Sequence, residues 1–96
     1  MSLDLIAKQQ PPVITALYKY KHEVFKEGAL TVREKELIAT AVSCLLKCDI
    51  CVETHARDAL KAGATKDELR EAMIVAMYLD GPSAVIFSPM IDEMIK

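Results

Sequence analysis

Residues 44–55 read CLLKCDICVETH, and the rest of the chain is organised around this stretch. It holds all three cysteines of the protein and one of its two histidines. Cys48 and Cys51 form a C-x-x-C pair, and His55 follows four residues after the second thiol. On a helix that opens at Cys48-Asp49, residues four apart lie on one side, so Cys51 and His55 share a face. The flanking sequence carries helical periodicity, with polar breaks between apolar stripes. Glycine is scarce and no hairpin dipeptide separates alternating runs, so strands are not expected.

Upstream, Thr31 and Glu34 have the spacing of a capping box, in which each side chain satisfies the other residue's free backbone N–H. They predict a helix from Thr31 to about Lys47. Leu37, Ile38, Ala41, Val42, Leu45 and Leu46 form its expected buried stripe. Glu36 lies beside that stripe, and on position alone it reads as a solvated carboxylate paired with Lys35 or Arg33. Downstream, the helix that opens at Cys48-Asp49 should reach Lys61 or Ala62 and close at Gly63. Val52, Ala56, Ala59 and Leu60 are its apolar side, and Glu53, Arg57, Asp58 and Lys61 its wet side. Thr65 and Glu68 make a second capping box, opening a helix through about Leu79. Leu69, Ala72, Met73, Val75, Ala76 and Met77 leave that helix apolar over most of its surface, so it is central or interfacial. Its methionines read as packing residues.

At the N-terminus, Leu3 to Gln10 predicts a short helix ended by Pro11-Pro12, because proline disfavours the helical conformation of the residue before it. Pro12 then serves as the first residue of a second helix. Val13, Ala16, Leu17, Tyr20, Val24 and Phe25 share one face of it, and Gly28 is its expected stop. Tyr18, Tyr20 and His22 read as packing and surface residues. Asp80-Gly81-Pro82 is a turn, with Pro82 starting the last helix and Pro89 kinking or splitting it after Phe87. The expectation is one all-α domain over residues 1–96, with five or six helices.

Of 96 residues, 52% are hydrophobic, and the mean hydropathy is +0.19. A chain of this size buries only roughly 60–65% of its unfolded surface. Part of the apolar surface is therefore expected in a subunit interface, making the protein a homo-oligomer. The net charge is −2 and the pI about 5.6. No basic block exists, which argues against a nucleic-acid partner. No apolar run approaches the ~18 residues of a membrane span, so no membrane association is expected. The opening MSLDLIAKQQ does not read as a secretory leader, and the chain is expected to be cytoplasmic. In a reducing compartment an odd cysteine count with a C-x-x-C pair points to redox or metal chemistry before structural cross-linking.

Three chemistries fit the cysteine stretch. Thiol–disulfide exchange at Cys48 and Cys51 is favoured by a helix N-terminus and a nearby imidazolium, both of which lower thiol pKa. Zinc held by Cys44, Cys48, Cys51 and His55 is the second. On one straight helix that stripe would span about 16 Å at 1.5 Å per residue, too long for one tetrahedral ion without a bend. The third is an iron–sulfur cluster, because C-x-x-x-C-x-x-C resembles the cluster motif of radical S-adenosylmethionine enzymes, which need a far longer β/α chain. Cys44 itself reads as a buried small apolar residue. No metal and no cofactor are assigned.

From Leu30 to about Ser83 the sequence resembles the carboxymuconolactone decarboxylase family, specifically its alkylhydroperoxidase D-like members. The matching stretches are LTVREKEL, CDICVETH, ARDALKAGATKDEL and the Gly81-Pro82 turn. In redox-active members a Glu precedes the first Cys by twelve residues and a His follows the second by four. Glu36, Cys48, Cys51 and His55 fit that spacing, which turns the reading of Glu36 from solvated to functional. The resemblance implies an all-helical homo-oligomer, a trimer or an assembly of trimers such as a hexamer. It implies hydroperoxide reduction by the Cys48/Cys51 pair, with Glu36 and His55 activating the thiol and relaying protons; which thiol attacks is left open by the resemblance, and nearness to His55 favours Cys51. It further implies re-reduction by a dithiol protein of lipoyl or thioredoxin-like type.

Two positions depart from the pattern. Ile50 stands where several relatives carry His or an aromatic residue, and Lys47 where a Gly often precedes the first Cys. Decarboxylating members generally lack the cysteine pair, which argues against lactone decarboxylation here. The remaining alternatives are a dithiol carrier or redox sensor without turnover, and a decarboxylase-like enzyme acting on a small acid or lactone.

Overall fold

A computed structural model describes residues 1–81 and 89–96. Its helices are α1 (Leu3–Gln9), α2 (Pro11–Phe25), α3 (Val32–Leu45), α4 (Asp49–Lys61), α5 (Lys66–Asp80) and α6 (Pro89–Ile95). Among the described residues there is no strand. The helix expected from Pro82, and its break after Phe87, lie outside the described residues. Pro89 is the first residue of α6, a place where its missing N–H costs nothing.

Local signals place most boundaries. Both prolines enter α2, which starts at Pro11, one residue earlier than expected. The first helical positions need no N–H partner, so each proline is tolerated there. α2 ends at Phe25, three residues ahead of Gly28. The reason comes from α3: the Lys35 ammonium donates to the carbonyls of Val24 at 2.9 Å and Lys26 at 2.6 Å, capturing the free acceptors at the end of α2. Both predicted capping boxes form, Thr31 with Glu34 and Thr65 with Glu68.

The ends of α3 and α4 are Schellman motifs. After α3, the N–H of Lys47 donates to Cys44 O and that of Cys48 to Ser43 O. After α4, Gly63 and Ala64 donate to Leu60 O and Ala59 O in the same pattern. The motif needs a left-handed residue: Gly63 has φ 98° and Lys47 has φ 57°. Glycine takes that conformation without strain, whereas a side chain costs about 1 kcal/mol. The Gly common before the first Cys in the resembling family thus has a backbone reason.

α3 is the central element and packs on α4 and α5, while α6 lies against those two. The core is built of Cys44, Val52, Ala56, Ala59, Ala64, Leu69, Ala76 and Ile91. Its many alanines allow close helix approach but bury little area per residue.

The buried face of α3 differs from the expected stripe. Leu37, Ala41 and Leu45 are half-buried against the core, but Ile38, Val42 and Leu46 are exposed. Glu36, Thr40, Ser43 and Cys44 are inside instead. The hydroxyls can be buried because their own helix satisfies them, Thr40 donating to Glu36 O at 2.8 Å and Ser43 to Ala39 O at 2.6 Å. Neither α1 nor α2 buries a single residue within the chain. On α5, Ile74, Val75, Tyr78 and Leu79 also face outward. The radius of gyration, 14.6 Å, exceeds the ~12.5 Å expected of a compact chain this long.

The capping boxes make acid stability predictable. The backbone N–H of Thr31 holds the Glu34 carboxyl below its ordinary value, and that of Thr65 does the same for Glu68, with Arg33 adding to both. A carboxylate depressed by folding stabilises fully above its unfolded pKa, and that contribution disappears as pH falls through the lowered folded value. Stability should therefore decline below about pH 4.5. The double variant Glu34→Gln, Glu68→Gln keeps an acceptor oxygen at each cap but does not titrate there. Its thermal melts should show a shallower acid limb; parallel limbs in both proteins would rule these carboxyls out as the cause.

Candidate active site

The Schellman turn after α3 leaves Cys48 as the N-cap of α4, with extended backbone at φ −107° and ψ 98°. Its sulfur accepts the N–H of Cys51 at 3.2 Å. Cys51 lies in the first turn, and the two sulfurs are joined as a disulfide across a Cα–Cα distance of 5.2 Å. When reduced, both thiols would sit at the positive end of the α4 dipole, among N–H groups without helical acceptors, a setting that stabilises thiolate.

One turn on, His55 faces α3. Its Nδ1 and the Glu36 Oε2 are 2.7 Å apart. Glu36 is 4% exposed, so its desolvation must be offset, and the imidazole supplies the partner. Lys35 and Arg33 do not pair with it: Lys35 caps α2, and Arg33 binds Glu68. Phe25, at the end of α2, stacks on the His55 ring with centroids 5.4 Å apart and planes inclined by 20°. With an ionised Glu36, Nδ1 carries the hydrogen and Nε2 is left as the basic nitrogen.

A cavity of about 550 Å³ lies over this group, with Cys51, Thr54 and His55 as its floor. Leu17, Tyr18, Lys21 and Phe25 of α2 and Leu3 of α1 wall it. Cys44 stands apart from this chemistry: it is a free thiol in the core, 1% exposed, and burial pushes its pKa up, so it stays protonated.

The structure thus brings Glu36 to His55, and Cys51 to His55 at one cavity, with Cys48 bonded to Cys51. Sequence reasoning missed the α2 wall. It also missed Asp58, which periodicity puts on the wet side of its helix. Donor atoms of Glu36, His55 and Asp58 all lie within 4.8 Å of one another, near enough to share a cation. Asp58 was findable, since a residue three after His55 on a helix shares its face. Phe25 gave no local signal, because its contact spans thirty residues of chain.

The all-helical fold has known counterparts. A family model for the carboxymuconolactone decarboxylase family matches residues 11–87, and the chain belongs to that family. An uncharacterized protein of the cox locus of Paracoccus denitrificans is 45% identical over 61 residues, covering 64% of this chain; the chain spans only 55% of that relative's length. A solved carboxymuconolactone decarboxylase family protein from Legionella pneumophila is similar at TM-score 0.84 and 28% identity, covering 98% of this chain and 88% of its own. A solved protein from Methanobacterium thermoautotrophicum is 40% identical at TM-score 0.71, covering 82% of this chain and 89% of that one.

The Glu36–His55 pair should be visible in stability. His55→Ala leaves a buried carboxylate without its partner and should cost about 2–3 kcal/mol. Glu36→Gln keeps the shape and a hydrogen bond to the ring, and should cost clearly less. Urea unfolding at neutral pH measures both. Equal losses would mean that the pair does not govern how Glu36 is held.

Proposed function

We propose that the protein is a thiol-dependent hydroperoxide reductase of the alkylhydroperoxidase D-like kind. The observation that carries this reading is the disulfide at the head of α4 beside a buried carboxylate–imidazole pair, with one sulfur on an accessible cavity. Cys51 is the attacking sulfur, because it is the one that lines the cavity with His55. His55 takes the Cys51 thiol proton on Nε2, and Glu36 holds the ring in the matching tautomer through Nδ1. The thiolate attacks the terminal peroxide oxygen, the O–O bond breaks, and the alkoxide leaves as an alcohol with the proton from His55. Cys51 is then a sulfenic acid. Cys48 attacks its sulfur, losing its own proton, and water leaves as the disulfide forms. A dithiol protein of lipoyl or thioredoxin-like type returns two electrons and two protons. Cys48 and Cys51 thus store electrons, while Glu36 and His55 move protons.

The reduced protein treated with one equivalent of an organic hydroperoxide should lose two thiols and gain a Cys48–Cys51 disulfide by mass spectrometry. With a dithiol reductant it should turn over, and Glu36→Gln should lower turnover about 10²-fold. Oxidation without turnover would identify a dithiol carrier or sensor instead. Activity on a small acid or lactone that survives Cys48→Ser with Cys51→Ser would identify a decarboxylase-like enzyme.

The working form is a homo-oligomer, a trimer or hexamer. Ile38 and Val42 of α3, Val75 and Tyr78 of α5, and Val13, Tyr20 and Val24 of α2 leave more apolar surface uncovered than a small monomer normally carries. Light scattering on the purified protein should give a multiple of the 10.6 kDa chain mass. Val42→Glu with Val75→Glu should reduce that mass to one chain; a wild-type protein already at one chain mass refutes the assembly.

A further inference from the structure

The cavity over Cys51 has an unusual composition on its α2 side. Leu17 and Phe25, joined by Leu3 of α1, are apolar, yet Lys21 stands among them. Other lysines nearby are engaged: Lys26 pairs with Glu23, and Lys35 holds two carbonyls. Among the described residues Lys21 makes no ion pair and no hydrogen bond. A second cavity, of about 390 Å³, lies beside the first and shares Tyr18, Lys21 and Phe25 with it. His22 and Lys26 add two more basic groups there. Among the described residues none lining either cavity is acidic, although the chain as a whole carries a net charge of −2.

The two cavities adjoin in one trough: Cys51 and His55 line one part, His22 and Lys26 the other, and Tyr18, Lys21 and Phe25 form the wall common to both. Apolar surface rewards burial of a hydrocarbon, and the exposed Lys21 ammonium, unpaired among the described residues, offers an anion a charge-assisted hydrogen bond. A small neutral peroxide would use neither feature. We infer that the trough takes an amphiphilic carboxylate, an aliphatic chain whose carboxylate meets Lys21. Resting on the peroxidase reading above, the substrate is then a hydroperoxide borne on such a chain, with its O–O group at Cys51. Lys21 is a specificity residue that anchors the carboxylate of the substrate. No further reactant is needed, since the step at sulfur is the one already described and the carboxylate is unchanged by it.

The test has two arms. In the first, calorimetry compares octanoate with octan-1-ol, which do not react. Wild type should bind octanoate about tenfold more tightly. Lys21→Gln should bring the two together, and Lys21→Arg should restore the difference. In the second, kcat/KM is compared for linoleate hydroperoxide and its methyl ester. The acid should be favoured about tenfold, with the ratio falling to near one in Lys21→Gln and returning in Lys21→Arg. A ratio is insensitive to partial misfolding, because both substrates meet the same active fraction. Equal binding of octanoate and octan-1-ol by wild type overturns the inference, as does an acid preference unchanged by Lys21→Gln. Octanoate preference through Lys21 with neither hydroperoxide reduced would instead overturn the peroxidase reading and leave the anion trough standing.

Discussion

The contact between Glu36 and His55 is the constraint on which the site depends. A carboxylate placed mid-helix on the buried side of α3 would be strongly destabilising without a partner. The imidazole that supplies the partner comes from α4, at 2.7 Å. One interaction thus orients α4 against α3 and fixes which ring nitrogen is occupied. Phe25 stacked on the ring and Cys51 one turn earlier take their places from that orientation. Among the described residues no buried side-chain nitrogen or oxygen lacks a hydrogen-bond partner, so the polar interior of α3 is fully satisfied.

The second constraint is backbone geometry. The Schellman motif after α3 turns the chain so sharply that the residue closing it, Cys48, also caps α4. The pair of sulfurs is therefore held at the N-terminus of a helix by hydrogen bonds that do not involve them, apart from the one that Cys48 accepts. Lys47 takes the left-handed position that glycine fills more easily, and its side chain reaches Asp80 at the end of α5. This departure from the family pattern adds a tertiary tie while accepting local strain. The substitution at Ile50 is different: its side chain is 75% exposed and points away from the core, so it leaves the Glu36–His55 geometry untouched.

The core is small for the hydrophobic content of the chain. Alanine supplies much of it, and the large aliphatic side chains of α2, α3 and α5 lie outside. A radius of gyration above that of a compact chain has the same origin, since α1 and α2 extend from the bundle without burying a residue of their own. The α2 helix nonetheless closes the cavity over Cys51, so the element contributing least to the core contributes most to the shape of the site.

Much of the secondary structure was readable from residues three or four apart. The capping boxes at Thr31 and Thr65, the stop at Gly63 and the opening of α4 at Cys48 are local interactions, complete within one turn, so sequence alone determined them. The same holds for the shared face of Cys51 and His55. What only the tertiary structure decided is which face of each helix is inside. Periodicity marked Ile38, Val42 and Leu46 for burial, but the packing of α3 on α4 selected Glu36, Thr40, Ser43 and Cys44. Hydroxyls satisfied by their own helix carry little penalty inside, and a carboxylate is admitted when a partner meets it, conditions that no pattern of hydrophobicity records. The partner of Glu36 lies nineteen residues away on another helix, and Phe25 and Lys21 reach the site from a third. Contacts of that range exist only once the helices have packed.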